Sequence, residues 1–154
     1  MDTRPRHVLP CSTRYHSVPA GGSWFPETVA AAVQRAIASG REQVAAYCGA
    51  SNGDDPDMFV MFSAAAQRCG LSCLHVKEQP SEGAVVAIAK RAALIFLGSG
   101  DFHRAWRSFA ATGVDRAIQA ALSASVPIVG VSAGAINMGA YGYSTTEHPI
   151  IGAM

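Results

Sequence analysis

The chain has 154 residues, 49% of them apolar and 15% charged, so it lies in the size range of one domain and has enough apolar side chains to form a core. Twelve Lys and Arg against eleven Asp and Glu give a formal net charge of +1, which argues against binding of nucleic acid or anionic lipid through excess positive charge. Because the sequence shows neither an apolar run of about 18 residues nor a signal-peptide pattern, we expect a single cytoplasmic domain over residues 1–154, with no nucleic-acid or membrane partner.

Two hydrophobic periodicities alternate along the chain after an irregular opening through residue 22. Short apolar runs predict strands at 43–50, 71–76, 93–97 and 127–131. Apolar residues at helical spacing, with residues typical of helix ends, predict helices at 26–39, 56–69, 82–91 and 115–125, and one or two helical turns at 102–109. Strands that are apolar throughout and separated by helices are typical of parallel sheets covered on both faces, so the fold class is α/β.

Three loops follow predicted strands, at 49–54, 98–101 and 130–135. In open α/β sheets, reactive groups gather beyond the carboxyl ends of the strands, so these loops are the places to expect a site. The last loop contains Gly-Val-Ser-Ala-Gly, with Ser132 at the turn from a strand into a predicted helix. Glycines at 130 and 134 allow the strand and the helix to meet closely, and a strained turn of this kind presents the serine hydroxyl to a substrate.

The loop at 98–101 strengthens this interpretation, because glycines between a strand and a helix are by themselves common in α/β proteins. It reads Gly-Ser-Gly-Asp and follows a strand that we expect beside the strand carrying Ser132. A glycine at position 100 lets a backbone N–H approach a developing oxyanion without a Cβ in the way, and the N–H of Ala133 would complement it. The two loops therefore predict a serine nucleophile and an oxyanion hole at one edge of the sheet.

Residues 94–152 resemble the dipeptidase E and cyanophycinase family of serine peptidases, within the class I glutamine amidotransferase-like superfamily. In that family a strand ends in Gly-Gly-Asn or Gly-Gly-Asp, a pair of helices follows, and a Gly-x-Ser-Ala-Gly turn comes next; Gly100-Asp101 and Ser132 match this order and spacing. The loop at 47–55, Tyr-Cys-Gly-Ala-Ser-Asn-Gly-Asp-Asp, is similar to an Ala-Ser-rich loop after an early strand in relatives. The resemblance implies a flavodoxin-like three-layer sandwich with a mostly parallel sheet flanked by helices.

The resemblance also implies roles for individual residues. The matching positions are Ser132 for the nucleophile, the amides of Gly100 and Ala133 for the oxyanion donors, and Asp101 for substrate binding. Residues 144–151, Ser-Thr-Thr-Glu-His-Pro-Ile-Ile, are similar to the family's Thr-Thr-Asn-Asp-x-Pro-Ile-Val segment, in which Glu147 takes the place of the Asp that supports the catalytic histidine. The substrates implied are dipeptides with an N-terminal aspartate or acidic β-linked polymers.

The general base is the part of the predicted site that the resemblance does not supply. The family's catalytic histidine lies farther downstream than Glu147, and no histidine of this sequence matches it. His148 is the first candidate for the base, although neighbouring side chains in an extended segment point to opposite sides, and His103 is the second. Because a serine hydroxyl without a base is a poor nucleophile, the alternative is a catalytically silent domain, lacking the C-terminal part of the family fold, that acts as a binding or assembly module.

Other kinds of site receive less support from the sequence. The loop at 49–53 could bind a nucleotide at a helix N-terminus, but the Gly-x-Gly-x-x-Gly and Walker patterns are absent, and an amidotransferase would carry cysteine at position 132. The five His and four Cys lack metal-ligand spacing, so we expect no metal, no cofactor, and reduced, mostly buried thiols. The expected partners are a small peptide substrate and, since an incomplete sheet would expose an apolar edge, a second copy of the chain.

Overall fold

A computed structural model describes residues 7–9, 27–139, 141–142 and 151–152, and describes side chains within residues 30–139. The strands of the main sheet are, in chain order, β1 (His7–Leu9), β2 (Glu42–Cys48), β3 (Ser72–Val76), β4 (Ala92–Leu97) and β5 (Ile128–Val131). They form a parallel sheet in the spatial order β1-β5-β4-β2-β3. Two short strands, β6 (Tyr141–Gly142) and β7 (Ile151–Gly152), form a separate antiparallel pair.

Helices connect the strands of the main sheet. They are α1 (Glu27–Ala38), α2 (Pro56–Arg68), α3 (Glu82–Lys90), α4 (Phe102–Thr112), α5 (Val114–Ser123) and α6 (Ala133–Asn137), with a 3-10 turn at Ala50–Asn52. The helix starts follow ordinary capping chemistry: the carboxylate of Asp55, for example, accepts a hydrogen bond from the Asp57 N–H at 2.9 Å. Of the helices described, none combines the length and the apolar character that crossing a bilayer requires.

The sheet lies between two layers of helices, and β4 shows this most clearly because all six of its residues are buried. On one face, Ile95 and Leu97 pack with side chains of α3, α4 and α5. On the other face, Leu94 and Phe96 pack with side chains of α1 and α2. Alternate residues of one strand therefore enter two separate cores, as expected for a strand covered on both sides. This confirms the predicted α/β three-layer sandwich with a parallel sheet flanked by helices.

The structure corrects the sequence prediction at three places. Strand β1 lies within the opening that was expected to be irregular, where His7 pairs with Val129 of β5. Helix α4 is 11 residues long rather than one or two turns, and it ends where Gly113 adopts a left-handed conformation with φ 79°. Position 50, predicted as the end of a strand, belongs to the 3-10 turn.

The cysteine side chains differ in their environments. Cys48 is 1% exposed, and burial raises the pKa of its thiol to about 12. Cys73 is half-buried, whereas Cys69 is exposed, and all three thiols are free. The expectation of mostly buried thiols is right for Cys48 and wrong for Cys69, because Cys69 follows the last turn of α2 at the surface; Cys11 lies outside the described residues.

Candidate active site

Ser132 lies at a sharp turn between β5 and α6, with φ 52° and ψ −113°. This region of backbone conformation is unfavourable for a residue with a Cβ and costs roughly 1–3 kcal/mol, so it persists only where surrounding contacts hold it. The carbonyl oxygen of Ser132 accepts a hydrogen bond from the Ile136 N–H at 3.1 Å, which closes the first turn of α6. Ser132 is half-buried, so the turn keeps this serine at the carboxyl edge of the sheet rather than inside the apolar core.

Two glycines bring the backbone of α6 against the ends of the central strands. A Cβ on Gly134 would lie 2.6 Å from the carbonyl carbon of Leu97 in β4, and closer still to the Leu97 oxygen. A Cβ on Gly130 would lie 2.6 Å from the carbonyl carbon of Gly134. Real Cβ atoms do not approach backbone atoms so closely, so only glycine fits at either position without a backbone shift. The close meeting of strand and helix that the sequence predicts is therefore present.

The loop of residues 98–101 lies beside the Ser132 turn. Strands β4 and β5 are hydrogen-bonded neighbours, with Leu97 opposite Gly130, so the chain leaves both strands at the same edge of the sheet. Gly100 has φ 133°, and a Cβ there would lie 2.6 Å from the carbonyl carbon of Ser51. The expectation that the strand before this loop neighbours the strand before Ser132 is confirmed, and the two glycine-containing turns are adjacent.

Asp101 has a structural role that the sequence interpretation missed. Its Oδ1 atom accepts hydrogen bonds from the N–H groups of His103 at 2.8 Å and Arg104 at 3.1 Å, which caps the first turn of α4. The side chain is exposed. An Asp between a glycine-containing loop and an amphipathic helix is a recognisable capping signal, so the sequence could have revealed this contact. The expected role of Asp101 in substrate binding stays a prediction.

Two substitutions separate the cap of α4 from the charge of Asp101. We expect Asp101→Ala to lower the free energy of unfolding by about 1 kcal/mol, because it leaves two first-turn N–H groups without their acceptor. We expect Asp101→Asn to cost no more than a few tenths of a kcal/mol, since asparagine caps helices about as well as aspartate. Urea denaturation of the three chains measures the difference. Equal destabilisation by Ala and Asn would contradict the capping role.

Of the two candidate bases and the supporting carboxylate, the structure describes only His103. Glu147 and His148 lie outside the described residues, so their roles as supporting carboxylate and base stay predictions. His103 is in the first turn of α4, where it is 5% exposed and its ring stacks on Phe102 with centroids 4.2 Å apart. The role of His103 as the second candidate for the base stays a prediction.

The loop at 49–54 forms the third part of this edge of the sheet, and its polar groups are engaged in local contacts. Both carboxylate oxygens of Asp54 accept hydrogen bonds from the Glu78 N–H, at 3.0 and 2.9 Å. Nε2 of His75 lies 3.7 Å from Oδ1 of Asp54, and the His75 ring stacks on Phe59. Burial lowers the pKa of His75, although the Asp54 carboxylate opposes this shift.

An exposed ion pair connects the segment that follows β3 to α4. Glu78 and Arg104 form two side-chain hydrogen bonds, at 3.0 and 2.6 Å, and these bonds hold the pKa of the Glu78 carboxyl below its usual value. The Arg104 guanidinium packs over Gly53, where a Cβ would lie 2.8 Å from one of its nitrogens. In the described part of the chain, His, Cys, Asp and Glu side chains form no group of three or more that could hold a metal ion.

A groove of about 460 Å³ opens at the opposite edge of the sheet, between α1 and the residues that precede β5. Its lining is mostly small or apolar, and consists of Ala32, Arg35, Ala36, Ser39, Leu122, Ala124, Ser125, Val126 and Pro127. Because the groove residues directly precede β5 and Ser132 directly follows it, the groove and the serine turn lie at different ends of the same strand. The groove is therefore not part of the candidate active site.

The parallel sheet, its two helical layers and the serine turn define an α/β protein of flavodoxin-like fold. Residues 29–152 match the model of peptidase family S51, and the chain therefore belongs to this family. A comparison with curated proteins finds no match. The family assignment confirms the resemblance to dipeptidase E and cyanophycinase that the motifs indicated.

Two solved structures share the fold at low sequence identity. A peptidase from an acI-B1 Actinobacterium superposes with a TM-score of 0.67 and 18% identity, covering 82% of this chain and 57% of that one. A "putative peptidase E protein" from Listeria monocytogenes EGD-e superposes with a TM-score of 0.56 and 18% identity, covering 66% of this chain and 52% of that one. The chain thus spans little more than half the length of these two proteins.

Proposed function

We propose that this chain carries the nucleophile of a serine peptidase of family S51, with Ser132 as the nucleophile. The observation that supports this most directly is the backbone of Ser132, held at φ 52° and ψ −113° between a buried strand and a helix. The close backbone contacts at Gly130 and Gly134 surround this strained turn. Hydrolases of α/β fold carry their nucleophilic serine at a strained turn between a strand and a helix, which supports the same role for Ser132.

The proposed reaction is acyl transfer through Ser132. Oγ forms a bond to the carbonyl carbon of the substrate peptide while its proton moves to a base, and the carbonyl oxygen becomes an oxyanion. When the intermediate collapses, the C–N bond breaks and the amine leaves with that proton; water then hydrolyses the ester and restores the hydroxyl. The family resemblance matches Glu147 to the carboxylate that supports the base, and His148 is the first candidate for the base itself, although adjacent side chains of an extended segment point to opposite sides.

Backbone N–H groups are the proposed oxyanion donors. Ala133 is the first residue of α6, and the first N–H groups of a helix have no acceptor within the helix. The N–H of Gly100 belongs to the neighbouring loop, where glycine allows the backbone to lie directly against that of Ser51. Donors fixed in this way stabilise charge that develops in the transition state, and losing one typically lowers the rate by about 10²–10³-fold.

The proposed substrate is a small peptide with an acidic residue, as the resemblance to the family implies. Both capping hydrogen bonds of Asp101 end on Oδ1, so we assign Oδ2 to a donor group of the substrate. Asp101→Asn, which keeps the cap, separates these two roles in an assay with Asp-containing dipeptides. We also propose that the protein is cytoplasmic and that the chain associates with a second copy of itself.

A fluorophosphonate probe tests the proposal, because it reacts only with serine hydroxyls that are activated as nucleophiles. We expect labelling at Ser132, located by peptide mass spectrometry, and no labelling of Ser132→Ala. Ser125→Ala is the matched control, since Ser125 is an exposed serine with φ 60° at the other end of β5. Absence of labelling and of dipeptide hydrolysis in the unsubstituted chain would reject the peptidase and support the silent domain.

A further inference from the structure

Ser51 lies beneath the loop that carries Gly100, and it is 5% exposed. Its Oγ atom lies 2.8 Å from the carbonyl oxygen of Gly98 and 2.9 Å from that of Ser99, so its single hydroxyl hydrogen is shared between two adjacent carbonyls. The carbonyl oxygen of Ser51 in turn accepts a hydrogen bond from the Asp101 N–H at 2.7 Å. One residue therefore contacts the loop through both its side chain and its backbone.

The bond to Ser99 has a consequence for Gly100. The carbonyl of Ser99 and the N–H of Gly100 belong to the same peptide unit, which is planar and trans, so the two groups point in opposite directions. When the Ser51 hydroxyl holds the Ser99 oxygen, it also directs the Gly100 N–H away from the 3-10 turn. A rotation of this peptide unit would turn the N–H out of that direction.

Other contacts restrict the conformation of the loop of residues 98–101. The Gly98 N–H donates to the carbonyl oxygen of Cys48 at 3.2 Å, which continues the ladder between β4 and β2. The phenol of Tyr47, fully buried, accepts a hydrogen bond from Nδ2 of Asn52 at 2.7 Å, and both atoms lie near Gly98. Gly100 itself is pressed against the backbone of Ser51. The chain is thus held on both sides of the 99–100 peptide, and the Ser51 hydroxyl contacts this peptide unit itself.

We propose that Ser51 is a positioning residue, whose hydroxyl holds the 99–100 peptide unit so that the Gly100 N–H faces the oxyanion. This inference rests on the proposed function, because it assigns a role to Ser51 only if Gly100 is an oxyanion donor. Because Ser51 is buried and its hydroxyl contacts two loop carbonyls, we expect the hydroxyl to affect the rate of bond formation and to leave probe binding unchanged.

The experiment compares Ser51→Ala with Ser108→Ala. Ser108 is the matched control because it is also buried, 6% exposed, and donates a hydrogen bond to a loop carbonyl, that of Glu78, at 2.7 Å. The reaction is phosphonylation of Ser132, in which the Oγ–P bond forms, fluoride leaves and the serine proton moves to the base. Its dependence on probe concentration gives the maximal rate constant and the half-saturating concentration separately.

We expect Ser51→Ala to lower the maximal rate constant about 10-fold to 100-fold with the half-saturating concentration unchanged, less than the complete loss of a donor would cost. Ser108→Ala should leave both constants unchanged. Amide hydrogen exchange gives a second readout that needs no activity: in Ser51→Ala, exchange at residues 99–101 should be at least 10-fold faster than in Ser108→Ala.

The outcomes distinguish this inference from the function on which it rests. If the unsubstituted chain is not labelled at Ser132, the proposed function fails and the role of Ser51 fails with it. If the unsubstituted chain is labelled but Ser51→Ala reacts at the same maximal rate, or loses rate only as much as Ser108→Ala, the proposed function stands and the inference about Ser51 is wrong. Unchanged exchange at residues 99–101 would also overturn it.

Discussion

Gly134→Ala is expected to destabilise the chain by about 3 kcal/mol, the upper end of what overpacking usually costs. The added Cβ would lie 2.6 Å from the carbonyl carbon of Leu97 and nearer still to its oxygen, so the clash is with the backbone of a strand buried on both faces. A rotamer change cannot relieve it, and α6 would have to move away from β4. Because α6 begins directly after Ser132, labelling at Ser132 should fall as well. Urea denaturation and fluorophosphonate labelling measure the two effects.

Gly83→Ala is the matched control for this substitution. Gly83 lies in the first turn of α3 and is exposed, and the nearest atom to an added Cβ is the Ser81 hydroxyl oxygen at 3.9 Å. Alanine is a better helix former than glycine, so this variant should be more stable than the unsubstituted chain by about 0.5–1 kcal/mol. Should the two glycine variants prove equally stable, the close contact between α6 and β4 does not exist.

Ser132→Gly is expected to abolish labelling by the probe and, at the same time, to be more stable than Ser132→Ala by about 1 kcal/mol. Both variants lack the hydroxyl, but only alanine keeps a Cβ at φ 52° and ψ −113°. These angles mirror an ordinary extended conformation, which glycine adopts freely. Relief of roughly 1–3 kcal/mol of strain is partly offset by the greater chain entropy of glycine in the unfolded state.

Thermal and urea denaturation of the three chains test this prediction. The comparison between glycine and alanine isolates the backbone, since neither residue makes a side-chain hydrogen bond. A glycine variant that is less stable than the alanine variant would show that the turn at Ser132 is not strained. The serine turn would then lack the feature on which the proposed nucleophile chiefly depends.

The features that the sequence predicted are those encoded over short stretches of chain. The apolar run of β4 and the helix start at Asp55 and Pro56 are local signals, and β4 and α2 begin and end within one residue of their predicted bounds. Strand β1 was missed because a run of three residues has no periodicity of its own, and its pairing with β5 joins residues far apart in the sequence. Nothing near residue 7 indicates that pairing.

In the candidate site, too, the sequence predicted the features that depend on short stretches of chain. The Gly-Val-Ser-Ala-Gly pattern located the turn at Ser132, and the order of predicted strands placed the loop of residues 98–101 next to it. The contacts of Ser51 could not be predicted, because they depend on how the 3-10 turn packs against a loop 47 residues away. The roles of Glu147 and His148 rest on the family resemblance and stay predictions.

Three contacts at this edge of the sheet are made where a side chain is missing. Gly100 meets Ser51, Gly134 meets Leu97, and Gly130 meets Gly134, in each case backbone against backbone. Adding one methyl group at any of the three glycines would force the two backbones apart at that contact. Any redesign of this protein therefore has to keep these three glycines, whichever residues replace the apolar side chains of the two cores.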